Sequence, residues 1–356
     1  MIHGIQQIGI GVMDLHSQWR WYRQAFSMDV PIFQEEAEAP YMTAYTDGEV
    51  QSRNAVLAAN LQGGSAFEIW QFTSRAPTPQ PDIPRIGDLG IIAARIKTVK
   101  VETAFNHLKS LGTKNQAEPP REVFPPSKDP VGNNQCYCID PYGNIFHIAR
   151  AHDWFGKPKT PTGGAAGCMI GVSDIDRVLP LYREVFGYDF FLYDKTGVFP
   201  DFRPLPGGDR KVRRVLITHS KPRTGAFSRL LGNSAIELVQ LLDGTPRRLY
   251  KDRFWGDPGF IHLCFDVTGM DGLKEACAKK GFPFTVDTGS TFDMGEAGGR
   301  FAYLEDPDGN LIEFVETHKM PILKKLGWYL HLDKRDPEKP LPDFMLKLLA
   351  LSRVRD

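Results

Sequence analysis

Four short segments set an ionisable side chain inside an otherwise apolar, strand-like run. Glu68 interrupts SAFEIWQF (65–72) and Glu237 interrupts SAIELVQL (234–241). His147 stands in NIFHI (144–148) and Glu313 in NLIEF (310–314). Successive side chains of a strand point to opposite faces, so each of these groups lines an interior if its face is covered. A carboxylate buried without a cation or donor costs several kcal/mol. Carboxylates on covered strands therefore imply a bound cation, and the chemistry open to them is metal coordination and proton transfer. The five cysteines offer less. Cys136, Cys138, Cys168, Cys264 and Cys277 form no CxxC pair and no zinc spacing. They predict buried, reduced thiols and a cytoplasmic setting.

The elements that must position these residues repeat. GGSAFEIWQF and LGNSAIELVQL share Gly63 with Gly232, Ser65 with Ser234, Glu68 with Glu237 and Gln71 with Gln240. DPYGNIFHI (140–148) and DPDGNLIEF (306–314) both open on an Asp-Pro-x-Gly-Asn turn before an alternating strand. Earlier in each half, IGIGVMDLHSQWRWYRQAF (8–26) and CMIGVSDIDRVLPLYREVFG (168–187) read as a strand, a capping Asp (Asp14, Asp174) and an amphipathic helix. GDLGIIAARI (87–96) and GFIHLCFDV (259–267) open two further units, each followed by a helix ending at Leu111-Gly112 or Lys280-Gly281. The pattern is βαβββ four times: module one over 2–75, two over 85–150, three over 165–243, four over 258–317. This divides the chain into a domain over 1–152, a Pro/Gly/Lys linker over 153–164, a domain over 165–317 and a tail over 318–356. In the tail, PILKKLGWYLHL (321–332) and PDFMLKLLALSRV (342–354) read as two short amphipathic helices that cover a sheet edge.

Composition excludes several partners. Among 356 residues, 43 Lys+Arg balance 43 Asp+Glu, which leaves no field to attract nucleic acid or an anionic membrane. The first residues lack a signal-peptide pattern, and no apolar run is long enough to span a bilayer. The expected partner is a small-molecule substrate, and assembly as a homodimer is left open.

The strand–Asp–helix openings, the IELVQ strand and the DPDGN-x-IEF closing strand resemble the vicinal oxygen chelate superfamily, which includes glyoxalase I, bleomycin resistance proteins and extradiol dioxygenases. The resemblance covers everything but the tail. It implies an α+β fold in which the four modules pair into two half-open barrels, with a divalent metal held by the first and last strands of each module. Carried over, the first-strand positions are Gln7, Asp88, Gly167 and His262, and the last-strand positions are Glu68, His147, Glu237 and Glu313. The ligands so implied are His262, Glu313, Glu237, Gln7 and Glu68, with Glu313 and Glu237 as the carboxylates that shuttle a proton.

Module pairing decides which of them meet. If neighbours pair, one barrel holds Gln7, Glu68, Asp88 and His147, and the other holds Glu237, His262 and Glu313 with a gap at Gly167. If module one pairs with four, Gln7, Glu68, His262 and Glu313 form the set that glyoxalase I uses, and the second barrel is degenerate. Among other residues, at most one of Arg213 and Arg214 faces inward, toward an anionic ligand, Phe254 and Trp255 could wall a pocket, His219 ends a strand and could point at a substrate, and the glycine-rich loop 289–299 could form a lid.

Three functions follow from the resemblance. The first is a lyase or isomerase that uses Zn, Ni, Co, Mn or Mg on a substrate with vicinal oxygens, through an enediolate. The second is an Fe(II)-dependent extradiol or 4-hydroxyphenylpyruvate-type dioxygenase, which needs two His and one carboxylate. The third is a non-catalytic binding protein. Gly167 stands where the second His would be, which favours the first.

Overall fold

The computed structural model describes residues 1–113, 135–289, 292–294, 297–323 and 328–355. Module one supplies β1 (Ile2–Gly11), α1 (Leu15–Phe26), β2 (Val30–Glu38), β3 (Ser52–Ala59) and β4 (Ala66–Phe72). Module two supplies β5 (Gly90–Thr98), α2 (Val101–Ser110), β6 (Gln135–Ile139) and β7 (Ile145–Arg150). Module three supplies β8 (Thr162–Val172), α3 (Ile175–Pro180), β9 (Phe190–Gly197), β10 (Val212–Thr218), the single turn α4 (Ser228–Leu231) and β11 (Ala235–Leu241). Module four supplies β12 (Gly259–Val267), α5 (Met270–Lys279), β13 (Val286–Asp287), β14 (Phe292–Met294), β15 (Ala297–Glu305) and β16 (Leu311–Leu323). β17 (Trp328–His331) and α6 (Asp343–Leu348) lie in the tail.

The repeated residues explain the local structure. Asp14 accepts from the Ser17 N–H at 2.7 Å and Asp174 from the Asp176 N–H at 2.9 Å, capping α1 and α3. The repeated glutamines serve the same helix starts: Gln71 accepts from the Leu15 N–H at 2.8 Å and Gln240 from the Ile175 N–H at 3.2 Å. α3 is shorter than its pattern because Pro180 has no N–H to give, and the chain continues as a π turn over Leu181–Val185.

Module one pairs with four and module two with three. The first sheet runs β13-β15-β16-β12-β1-β4-β3-β2 and the second β6-β7-β5-β8-β11-β10-β9. The seams are antiparallel, β1 on β12 and β5 on β8, whereas first and last strands within each module run parallel. Each sheet thus takes one module from either side of residues 153–164 and cuts across a division at 1–152 and 165–317. That linker is itself held in place, with Asp153 paired to the buried Lys97 at 3.0 Å and the Phe155 N–H donating to the Gln62 carbonyl.

Sequence-adjacent modules meet through helices instead. Tyr22 of α1 donates to Asp140 at 3.0 Å, and Tyr182 donates to Asp306 at 3.1 Å. These are the aspartates of the two repeated Asp-Pro-x-Gly-Asn turns. One apolar core lies under both sheets, with Ile8, Phe67, Phe146, Ile170, Phe265 and Phe314 all buried in it. Burial raises the Asp306 carboxyl to about 6, against its bonds from Asn310 and Asp308. Tyr182→Phe removes one donor and leaves those bonds in place, so an expected loss of about 1–2 kcal/mol should appear as a lower urea midpoint at unchanged slope. An unmoved midpoint would mean that the Tyr–Asp contact does not hold module three to module four.

The tail differs from the expectation. The described part of residues 321–332 does not form a helix: β16 and β17 pair antiparallel, with Met320 opposite Leu330 and Pro321 opposite Tyr329, and residues 324–327 lie outside the described residues. Alternation then places Leu330 and Leu332 with Met320, Leu230, Leu341 and Leu346 in one apolar cluster. Over 342–354 the helix does form, as α6 and a 3₁₀ turn at Leu349–Ser352. Its end covers the start of the edge strand β2, where the Val354 N–H donates to the Asp29 carbonyl at 2.9 Å. In the loop 289–299, β14 pairs with β15; residues 290–291 and 295–296 lie outside the described residues.

Candidate metal centre

Four adjacent strands, β16, β12, β1 and β4, bring Glu313, His262, Gln7 and Glu68 to one point. The register does this: Gly9 lies opposite His262 across the seam and opposite Glu68 across β4, while Gln7 and Glu313 both lie opposite Cys264. Outward neighbours such as Ile8, Phe67, Leu263 and Ile312 belong to the core, so the polar set faces the other way. The first sheet curls around it as a half-barrel.

Coordinating atoms of Glu68, His262 and Glu313 all lie within 4.8 Å of one another. His262 Nε2 is 3.0 Å from Glu313 Oε2 and 3.3 Å from Glu68 Oε2. It is aligned for a hydrogen bond with neither and is buried without a partner. Gln7 Nε2 donates to the same two carboxylate oxygens, at 3.2 Å each, and its Oε1 is also buried and unpartnered. Two orphaned acceptor-capable atoms beside two converging carboxylates fit a cation, because a buried acceptor left alone is costly.

Burial alone would lower the His262 pKa, but the Glu313 and Glu68 carboxylates outweigh it and raise it to about 10. Burial works against ionisation of Glu313, and the imidazole overcomes it, leaving the carboxyl below its ordinary value. A proton on His262 thus does in part what a divalent cation would do. The Tyr303 hydroxyl lies 3.3 Å from His262 Nδ1. For Nε2 to offer its lone pair, Nδ1 carries the proton and Tyr303 accepts it, which fixes both tautomer and ring orientation.

Gly9 is the other silent partner. A Cβ there would lie 2.4 Å from His262 Cε1 and 2.7 Å from both ring nitrogens. Gly9→Ala should push the imidazole off the carboxylates and weaken divalent-metal binding at least about 10-fold, by analogy with changes to groups that orient ligands. Competition with a chelating dye measures this. Wild-type affinity in a folded variant would show that the ring is not fixed from that side.

Glu237 does not join His262 and Glu313. Gly167 lies opposite Ala235 as Gln7 lies opposite Ala66, so Glu237 is the counterpart of Glu68, but it belongs to the second sheet. There it is buried against Arg214 and Tyr193. The neighbour-pairing arrangement that would have made it a ligand with His262 is not the one adopted.

Asp88 is displaced too. It precedes β5 and is held by Arg247 at 2.6 and 3.0 Å. The true counterpart of His262 is Ala93, since Ala93 lies opposite Ile145 as His262 lies opposite Leu311 further along the matching strands. Aligning the two segments on Gly90 and Gly259 would have found this. His147, the counterpart of Glu313, bonds Gln135 at 2.8 Å. Gly167 cannot carry a side chain, because a Cβ would lie 1.7 Å from the Ala235 carbonyl oxygen. Tyr303 was legible but unread: it stands three places before Asp306, as Tyr137 stands before Asp140.

His219 bonds the Lys221 carbonyl at 2.8 Å, away from the site, and Arg213 forms surface pairs with Asp194 and Asp176. Phe254 and Trp255 do wall a cavity, of about 490 Å³, whose lining also includes Tyr45, Tyr250, Ile261 and Leu311. None of the four converging residues reaches it. Trp255 stands between, with its ring 4.3 Å from Trp70 and 6.2 Å from Tyr303.

Residues 165–314 match the family model of the Glyoxalase/Bleomycin resistance protein/Dioxygenase superfamily. Among solved structures, glyoxalase I from Zea mays is 14% identical, over 88% of this chain and 92% of that one, with a TM-score of 0.53. A putative dioxygenase from Bacillus subtilis subsp. subtilis str. 168 is 14% identical over 88% and 85%, with a TM-score of 0.55. At that identity the likeness shows the fold. No curated protein sequence matches the chain.

Proposed function

We infer from the match of residues 165–314 to the Glyoxalase/Bleomycin resistance protein/Dioxygenase superfamily, and from the donor set on the inner strands, that this chain is a divalent-metal-dependent lyase or isomerase of that superfamily. The observation that carries the reading is the convergence of two carboxylates, one imidazole and one amide. Gln7, Glu68, His262 and Glu313 would hold the ion. Bound there, Zn, Ni, Co, Mn or Mg would act as a Lewis acid toward two adjacent substrate oxygens.

The chain's own groups do the rest. Two carboxylates balance a 2+ charge and suit a redox-inert ion, whereas oxygen activation at Fe(II) is usually built on two imidazoles and one carboxylate. Glu313 would take a proton from the carbon next to the substrate carbonyl and return it to the neighbouring carbon. Tyr303 and Gly9 hold the imidazole in place.

An anaerobic assay tests this. Metal-stripped protein is reloaded with each ion and offered α-hydroxy ketones, 2-oxoaldehyde adducts and catechols. Turnover without oxygen, supported by Mg²⁺ or Zn²⁺, is expected. Activity that requires Fe(II) and consumes O₂ would instead establish the dioxygenase.

A further inference from the structure

The inner face of the second sheet repeats the geometry of the first but not its chemistry. Leu216 lies opposite Glu237 as Leu57 lies opposite Glu68, so Arg214, opposite Val239, is the counterpart of Ala55, opposite Trp70. In the first sheet Ala55 leaves the interior to the converging donors. In the second, Arg214 fills it and is fully buried.

We propose that the second sheet is a cation site occupied from within the chain, the Arg214 guanidinium standing where the first sheet is built for a metal ion. Arg214 Nε donates to Glu237 Oε1 at 2.5 Å, and Nη1 donates to both carboxylate oxygens of Asp201 at 3.0 and 2.8 Å. The guanidinium carbon lies 4.0 Å from the Phe202 ring centroid and 4.9 Å from that of Phe199. This is a planar cation between carboxylates and aromatic faces, a pairing that suits guanidinium and no metal ion.

The remaining charges balance, while Glu237 Oε2 and Arg214 Nη2 are buried without a hydrogen-bond partner. Gln135 donates to Asp201 at 3.1 Å and accepts from His147 Nε2 at 2.8 Å, while His147 Nδ1 faces Arg95 Nη1 at 3.4 Å. That tautomer leaves His147 neutral, and burial with Arg95 and Arg214 keeps its pKa well below the ordinary value. Two buried guanidinium groups thus balance two buried carboxylates. The other counterparts of the first-sheet donors, Gly167 and Ala93, supply none. It follows that the inner faces of the two sheets together take one divalent ion and not two, and that removing the Arg214 side chain leaves a cage of Glu237, Asp201, Phe199, Phe202 and Tyr193 shaped for a guanidinium. None of this depends on the activity proposed above.

Two measurements test it. Elemental analysis of wild-type protein saturated with Mn²⁺ or Zn²⁺ should give one specific ion per chain; two would overturn the assignment. Arg214→Ala strands two buried carboxylates, and its melting midpoint should fall by roughly 10 °C or more. Millimolar guanidinium chloride should recover part of that fall in Arg214→Ala, while equal NaCl or urea should not, and wild type should gain nothing. Recovery by NaCl alone, or a midpoint within about 2 °C of wild type, would sink the proposal. Should Arg214→Ala fail to fold, Arg214→Lys is compared with the isosteric Arg214→Met. Lys more stable than Met supports a site that needs a cation, and Met equal or better refutes it.

Discussion

Replacing His262 with alanine should lower affinity for divalent metal ions by about 100-fold or more, since disturbing groups that merely orient a ligand already costs 10–100-fold. The variant keeps Glu68 and Glu313 with only the Gln7 amide between them. Two carboxylates so close, without the imidazole, do not both stay ionised, and one takes up a proton. A metal ion must then displace that proton as well as do without its nitrogen ligand. Dialysis against a weak chelator followed by elemental analysis reads the loss directly. The double variant His262→Ala, Glu313→Ala should retain no stoichiometric metal. If it does retain metal, the ion sits elsewhere and the inner face of the first sheet is not the site.

The second large effect belongs to the core. Phe146 lies on β7 of the second sheet, yet its ring packs on Phe26 of α1 at 4.6 Å, on Phe260 of β12 at 5.6 Å and on Phe67 of β4 at 6.0 Å. Three modules therefore meet on one side chain that is fully buried. Phe146→Ala should cost about 3–5 kcal/mol, the usual loss for an aromatic removed from a packed interior. Because the core is shared, fluorescence and circular dichroism should still report one transition, moved to lower denaturant. A variant in which one sheet melts before the other would show that the two cores are separable.

Particular residues show why some of this was readable. Glu68, Glu237, Gln71, Gln240 and the two Asp-Pro-x-Gly-Asn turns are fixed by contacts inside a module or between neighbours, so they repeat in the same local frame. Module pairing depends on the seams of β1 with β12 and β5 with β8, and no short-range pattern encodes which distant strand will fill an edge. Glu237 could be placed as the twin of Glu68, but its partner Arg214 was one of two adjacent arginines with no sign of which way each would turn. Asp88 was misplaced because it is the ionisable residue of its segment, although it precedes β5, which starts at Gly90. The pairing of β17 with β16 was missed because the amphipathic pattern of a short segment satisfies a helix and a strand alike.

The seam between β1 and β12 also sets the order of events during synthesis. Gln7 emerges from the ribosome early, but the oxygen it donates to on Glu313 lies 306 residues further along the chain. At roughly 5–20 residues per second, the open edge of β1 waits more than about 10 s for its partner strand. For that interval the nascent first module carries Glu68 and an unpaired, apolar strand edge in full view of other chains. Until module four arrives, that edge is open to pairing with a strand of another chain.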